Sequence, residues 1–198
     1  MASIMFRNSG GRSEIGLRAA LLGMRKLTIH GEISMELAQD FVDALLCMMD
    51  VDMHQPIQVF INSEGGNIDA GMLIYDAIQS CPAPVKIYCT GYAYSMAAVL
   101  LASGQHGRYI LPHSRVMIHE PAIGAGIGCN SQSLQTISDA LLKTKHGMEV
   151  LLAKHTGKTP EEIAEATHED HYFTADEAVA FGLVDEVVGF EEIIKAGA

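Results

Sequence analysis

Basic residues are scarce in this chain: 13 lysines and arginines stand against 24 aspartates and glutamates, a formal net charge of −11 over 198 residues. That balance opposes general binding to nucleic acid or to an anionic membrane, both of which reward clustered Lys and Arg. Long apolar runs are missing as well. The longest, around Ala93 to Ala102, is broken by Ser95 and falls short of the roughly 18 residues that a membrane span needs. Residues Met1 to Arg7 hold no apolar stretch of signal-peptide length, so a cytoplasmic location is the expectation. Cysteines are few and scattered: Cys47, Cys81, Cys89 and Cys129 make no C-x-x-C pair and have no histidine at metal-ligand spacing. Reduced, mostly buried thiols and no metal are expected. No Gly-Lys-Ser/Thr follows Gly65-Gly66, so the chain has no phosphate loop and no cofactor is expected.

What is present is the composition of a globular protein, 48% hydrophobic and 19% charged, in a length typical of one domain. No repeat or low-complexity linker divides it. Residues 1–13 are polar and glycine-bearing and read as a flexible N-terminal segment; residues 14–198 read as a single domain. Strand-like runs at Lys26–His30, Pro56–Asn62 and Val85–Thr90 alternate with helical patterns at Ser34–Asp50, Asn67–Gln79 and from Ser95 toward Gly104. Two short strands, Arg108–Leu111 and Arg115–His119, follow. Gln132–Lys154 is the longest helical pattern, with an apolar stripe from Leu134 to Leu152. Thr159-Pro160-Glu161-Glu162 carries the signals of a helix start. This alternation predicts an α/β fold on a largely parallel sheet, whose reactive loops lie at the carboxyl ends of the strands.

Two strand-to-helix junctions are placed for chemistry. Ile61-Asn62-Ser63-Glu64-Gly65-Gly66-Asn67 has paired glycines, which allow a sharp turn and bring backbone N–H groups close to a ligand. Gly91-Tyr92-Ala93-Tyr94-Ser95-Met96 puts a serine at the first turn of a buried helix, where unpaired N–H groups favour developing negative charge. It is not the G-x-S-x-G elbow of the α/β-hydrolases, and taken alone Ser95 reads as a helix cap. A serine nucleophile needs a base, and of nine histidines His119 ends the apolar run Val116-Met117-Ile118. Asp170, ahead of Phe173-Thr174-Ala175-Asp176-Glu177, is one of many acids that could orient an imidazole.

Together these segments resemble the proteolytic subunit of the Clp protease family, with its motifs I-N-S-x-G-G, G-x-A-x-S-M and R-V-M-I-H-x-P and a late acid before an E-A helix. They stand here as Ile61–Gly66, Gly91–Met96, Arg115–Pro121 and Asp170–Ala178. The likeness runs from about Gly11 to Val188. It implies a serine endopeptidase with Ser95 as nucleophile, His119 as base and Asp170 as the orienting acid, and with the backbone N–H groups of Gly66 and Met96 as oxyanion hole. It also implies a crotonase-like fold of repeated β-β-α units with a projecting strand–helix handle at about 122–155. Two stacked seven-membered rings of identical subunits, an AAA+ ATP-driven unfoldase as partner, and unfolded proteins or peptides as substrates follow from the same likeness.

Four features depart from the family pattern. Glu64 replaces the usual proline of the glycine turn. His168-Glu169 stands where an acidic–basic pair commonly bridges the rings, which predicts ring stacking through other partners and sensitive to pH. At the aromatic docking pocket Phe60 and Tyr109 are kept, but Gln58 and Ser80 are polar. Two other readings fit the same residues: a non-catalytic ring paralogue, and a crotonase-type enzyme acting on an acyl-coenzyme A.

Overall fold

The computed structural model describes residues 3–8, 11–122 and 131–195. At the N-terminus, β1 (Ser3–Asn8) and β2 (Gly11–Gly16) pair antiparallel as a separate two-stranded sheet, followed by α1 (Leu17–Gly23). The segment read as flexible thus holds a strand and the start of its partner. Three strand–helix units come next: β3 (Lys26–Ile33) with α2 (Met35–Val51), β4 (Ile57–Gly66) with α3 (Ile68–Ser80), and β5 (Val85–Tyr94) with α4 (Met96–Ala102). The chain continues through β6 (Arg108–Ile110), β7 (Arg115–Ile118), α5 (Ser131–Thr156), α6 (Pro160–Thr167), β8 (His171–Phe173), α7 (Ala175–Phe181), β9 (Glu186–Val187) and α8 (Phe190–Lys195).

The main sheet runs β3-β4-β5-β6-β9 with every neighbouring pair parallel, as the alternating pattern predicts. β7 pairs parallel with the second half of β5, and β8 joins β7 antiparallel. β3 and β4 are each bent by a register shift, between His30 and Glu32 and between Ile61 and Ser63. Such shifts turn one long strand into two short ones on different headings, which gives each unit the β-β-α character expected of it. Ile29, Ile33, Ile57, Ile61 and Ile87 are fully buried, as strands covered on both faces require.

Local signals set the helix starts. Ser34 accepts from Leu37 N–H at 3.1 Å, and Thr159 and Glu162 form a reciprocal capping box ahead of Pro160. The apolar stripe of α5 behaves differently from its pattern. Leu152 and Ala153 are buried against the core, but Leu134 and Leu142 are exposed, so the stripe is covered only toward the end of the helix. The strand expected at about 122–130 lies, beyond Ala122, outside the described residues. The thiols also differ from expectation: Cys89 is buried, Cys81 half-buried and Cys47 exposed, while Cys129 is not described.

Candidate active site

The register of the sheet brings the predicted residues to one edge. Tyr94 ends β5 opposite Met117, so Ser95 leaves the sheet beside the end of β7, and Ser95 N–H donates to Met117 C=O at 2.8 Å. Ile118 ends β7 opposite His171, the first residue of the antiparallel β8. His119 and Asp170 are therefore next-neighbours just outside the sheet. Gly66 closes β4 in register with Ile33. A parallel sheet delivers Gly66, Ser95 and His119 from strand ends, and one reversed strand adds Asp170 from its beginning.

Ser95 is the N-cap of α4 but does no capping. Its side chain makes no cap hydrogen bond, and its backbone sits at φ 55, ψ −123, a region that costs a non-glycine residue on the order of 1–3 kcal/mol. The hydroxyl is directed instead to His119, whose Nε2 lies 2.8 Å from Ser95 Oγ. All seven residues of α4 are buried and apolar, which fixes the helix and with it the serine. His119 Nδ1 faces Asp170 Oδ1 at 3.9 Å, beyond hydrogen-bond length, with the Asp170 side chain 60% exposed.

The glycine turn is shaped around this serine. Gly65 has φ +93, and a Cβ there would lie 2.6 Å from Tyr94 O, 2.9 Å from Ser95 Cβ and 3.1 Å from Met96 N. Only glycine lets β4 approach the elbow so closely. Buried Ser63 accepts from Gly65 N–H at 3.0 Å, and Asn62 Oδ1 accepts from Tyr92 N–H at 3.2 Å, tying the turn to β5. Met96, the first residue of α4, has an N–H with no acceptor inside the helix. Its side chain fills the space above Gly71, where a Cβ would lie 2.2 Å from Met96 Cγ.

Ser95 and His119 open into a small cleft walled by Ile68, Met96, Val99, Pro121, Met148 and Leu152. Roomier clefts run between α1, β3 and α2, lined by none of the predicted site residues. Among the described residues no group of three or more His, Cys, Asp or Glu is arranged to hold a metal ion, and no helix is long and apolar enough to cross a membrane.

Residues 9–191 match the profile of the Clp protease family. The chain belongs to that family. It is 41% identical over 179 residues, 90% of this chain and 87% of the relative, to the ATP-dependent Clp protease proteolytic subunit 2 of Chlamydia trachomatis serovar D. The subunit 1 of Chlamydia felis is 40% identical over the same shares. Membership in the Clp protease family makes the chain a peptidase by kinship and agrees with the α/β sheet described above.

The positions that depart from the family pattern have clear surroundings. Glu64 is exposed, as are His168 and Glu169. Gln58 is buried, and its amide donates to Tyr88 Oη at 3.4 Å beneath the stacked rings of Phe60, Tyr88 and Tyr109, so its polarity is matched. Ser80 is exposed at the end of α3. The sequence places Asn62 and Ser63 in the glycine-turn motif but assigns no role of their own to them or to Gly71, although all three shape the serine's surroundings. Nor does it single out Glu120, which follows His119 and accepts from Lys145 on α5, 25 residues away. That bond holds the Glu120 carboxyl below its ordinary range and the Lys145 ammonium above its own.

Proposed function

We propose that the chain is the proteolytic subunit of an ATP-dependent Clp-type protease and a serine endopeptidase acting through Ser95, His119 and Asp170. The observation that carries this reading is the 2.8 Å contact between His119 Nε2 and the uncapped hydroxyl of Ser95. That is hydrogen-bond reach for a base and its nucleophile. His119 Nε2 takes the hydroxyl proton as Ser95 Oγ attacks the peptide carbonyl carbon. The tetrahedral oxyanion is received by the N–H groups of Gly66 and Met96, a class of contact worth roughly 3–4 kcal/mol per donor. His119 then protonates the departing amine, leaving an acyl-Ser95. Water, deprotonated by the same imidazole, attacks the ester and releases the acid product.

Asp170 stabilises the imidazolium and selects the tautomer that leaves Nε2 free to accept. At 3.9 Å from Nδ1 it acts as a nearby charge rather than as a hydrogen-bond partner. The cleft's apolar walls suit an uncharged side chain beside the scissile bond. Two stacked seven-membered rings of this subunit, unfolded chains as substrate, and a cytoplasmic AAA+ unfoldase as partner complete the reading. The printed names of the relatives, ATP-dependent proteolytic subunits, support the partnership.

The test is hydrolysis of a short fluorogenic peptide by the purified assembly, with and without Ser95→Ala. Cleavage abolished by that single change supports the reading. Cleavage that survives it, or a wild type inert with every unfoldase supplied, overturns it.

A further inference from the structure

We propose that Lys145 is a positioning residue: its ion pair with Glu120 clamps the His119 segment to α5 and sets the imidazole's place against Ser95. This rests on the peptidase reading above. His119 lies outside the sheet, one residue beyond β7, and its ring has no hydrogen bond to Asp170, which stays 3.9 Å away. Apart from the contact with Ser95 itself, its orientation therefore depends on how the chain is held just beyond it.

Among the described residues two polar contacts hold that chain, both at Glu120. Glu120 N–H donates to Thr167 C=O at 2.9 Å, which ties the segment to the end of α6, three residues before Asp170. The Glu120 carboxylate accepts from Lys145 Nζ, which ties the same residue to α5. One and two turns further along, α5 supplies Met148 and Leu152 to the walls of the Ser95 cleft. The helix that shapes the cleft is thus fastened, through one ion pair, to the residue next to the base.

The groups that bear on this pair are His119 and His168 at Glu120, and Glu149 at Lys145. Glu149 also faces His146 at 3.7 Å, so it has a partner besides the clamp lysine. Both members of the clamp are partly exposed, with side-chain exposures of 31% for Lys145 and 42% for Glu120. Ion pairs of that kind add little to stability. What this one supplies is geometry, and misplacing a reacting group by about 1 Å costs up to about 100-fold in rate.

The test compares Lys145→Met, Lys145→Arg and the charge swap Lys145→Glu with Glu120→Lys, all in the native assembly. Lys143→Met, an exposed lysine on the same helix, serves as the control for lost charge. Peptide kinetics, the rate of Ser95 labelling by a fluorophosphonate, and thermal unfolding are read for each. Lys145→Met should lower kcat and the labelling rate by about 10-fold or more, with KM within about twofold and the unfolding temperature unmoved. Lys145→Arg and Lys143→Met should stay near wild type, and the swap should regain much of the loss. Wild-type labelling rates in Lys145→Met, or a loss that Lys145→Arg shares in full, overturn the clamp. Should Lys145→Met fail to fold, the swap decides: recovered labelling supports the clamp and silence refutes it. A wild type that is never labelled at Ser95 overturns the peptidase reading itself, an outcome distinct from all of these.

Discussion

Ser95 Oγ and His119 Nε2 lie 2.8 Å apart, and the serine reaches that position only by adopting φ 55 at the start of a buried helix. A capping serine needs no such strain, and its hydroxyl would bond the backbone two or three residues on. The backbone strain and the aim of the hydroxyl are what the proposed nucleophile needs and a cap does not. His119→Ala removes the base in contact with Ser95 among the described residues and should lower kcat/KM by at least about 1,000-fold with little change in folding. Peptide kinetics alongside circular dichroism check it.

Asp170 should matter less than His119, because it stands 3.9 Å from the imidazole and makes no hydrogen bond to it. Asp170→Asn is expected to lower kcat/KM by about 100- to 10,000-fold, through the wrong imidazole tautomer. Raising the pH should not restore it, since an amide cannot become a carboxylate. Kinetics of the variant between about pH 6 and 9 check the point, a range that spans the unperturbed histidine value.

The glycine turn is predicted to be intolerant for two reasons at once. Gly65→Ala places a Cβ 2.6 Å from Tyr94 O and 2.9 Å from Ser95 Cβ, at φ +93. Backbone strain alone costs about 1–3 kcal/mol, and relief of the clash has to move Ser95. The variant should unfold at lower temperature and lose activity by more than its stability explains. Gly71→Ala tests the same crowding from the other side, through Met96 Cγ at 2.2 Å.

Acid lability has an identifiable contributor far from the site. Arg108 donates to the Asp185 carboxylate and to the carbonyls of Ala102, His155 and Gly182, joining β6 to three other elements. Burial raises the Asp185 carboxyl, but the Arg108 hydrogen bonds and charge outweigh it and hold the group below its ordinary range. A depressed folded-state value stabilises above the unfolded value of about 3.9 and is lost as pH falls through the folded one. Asp185→Asn should therefore lower the unfolding temperature at neutral pH. The gap to wild type should close below about pH 4. Thermal melts across that range read it directly.

Much of this arrangement was legible in the sequence, and what was legible was local. The strands β3 to β7 and their helices carry periodic apolar patterns and capping residues such as Ser34 and Thr159, so their existence follows from neighbours in the chain. Ser95, His119 and Asp170 were singled out because each sits in a segment whose family likeness is specific. The hairpin β1–β2 was missed because its one apolar run, Ile4-Met5-Phe6, is short and does not alternate, and the rest is polar and glycine-bearing. The exposed first half of α5 was missed because a stripe does not say what covers it. The strain at Ser95, the 3.9 Å gap at Asp170 and the Lys145–Glu120 pair depend on the packing of distant segments, and no local pattern encodes them.

The account stands most directly on which atom is nucleophilic. Treating the folded assembly with a fluorophosphonate and mapping the adduct by peptide mass spectrometry should find one modification, on Ser95. It should vanish in Ser95→Ala and slow strongly in His119→Ala. An adduct on another residue, or none on Ser95 in an assembly that still cleaves peptides, would contradict it.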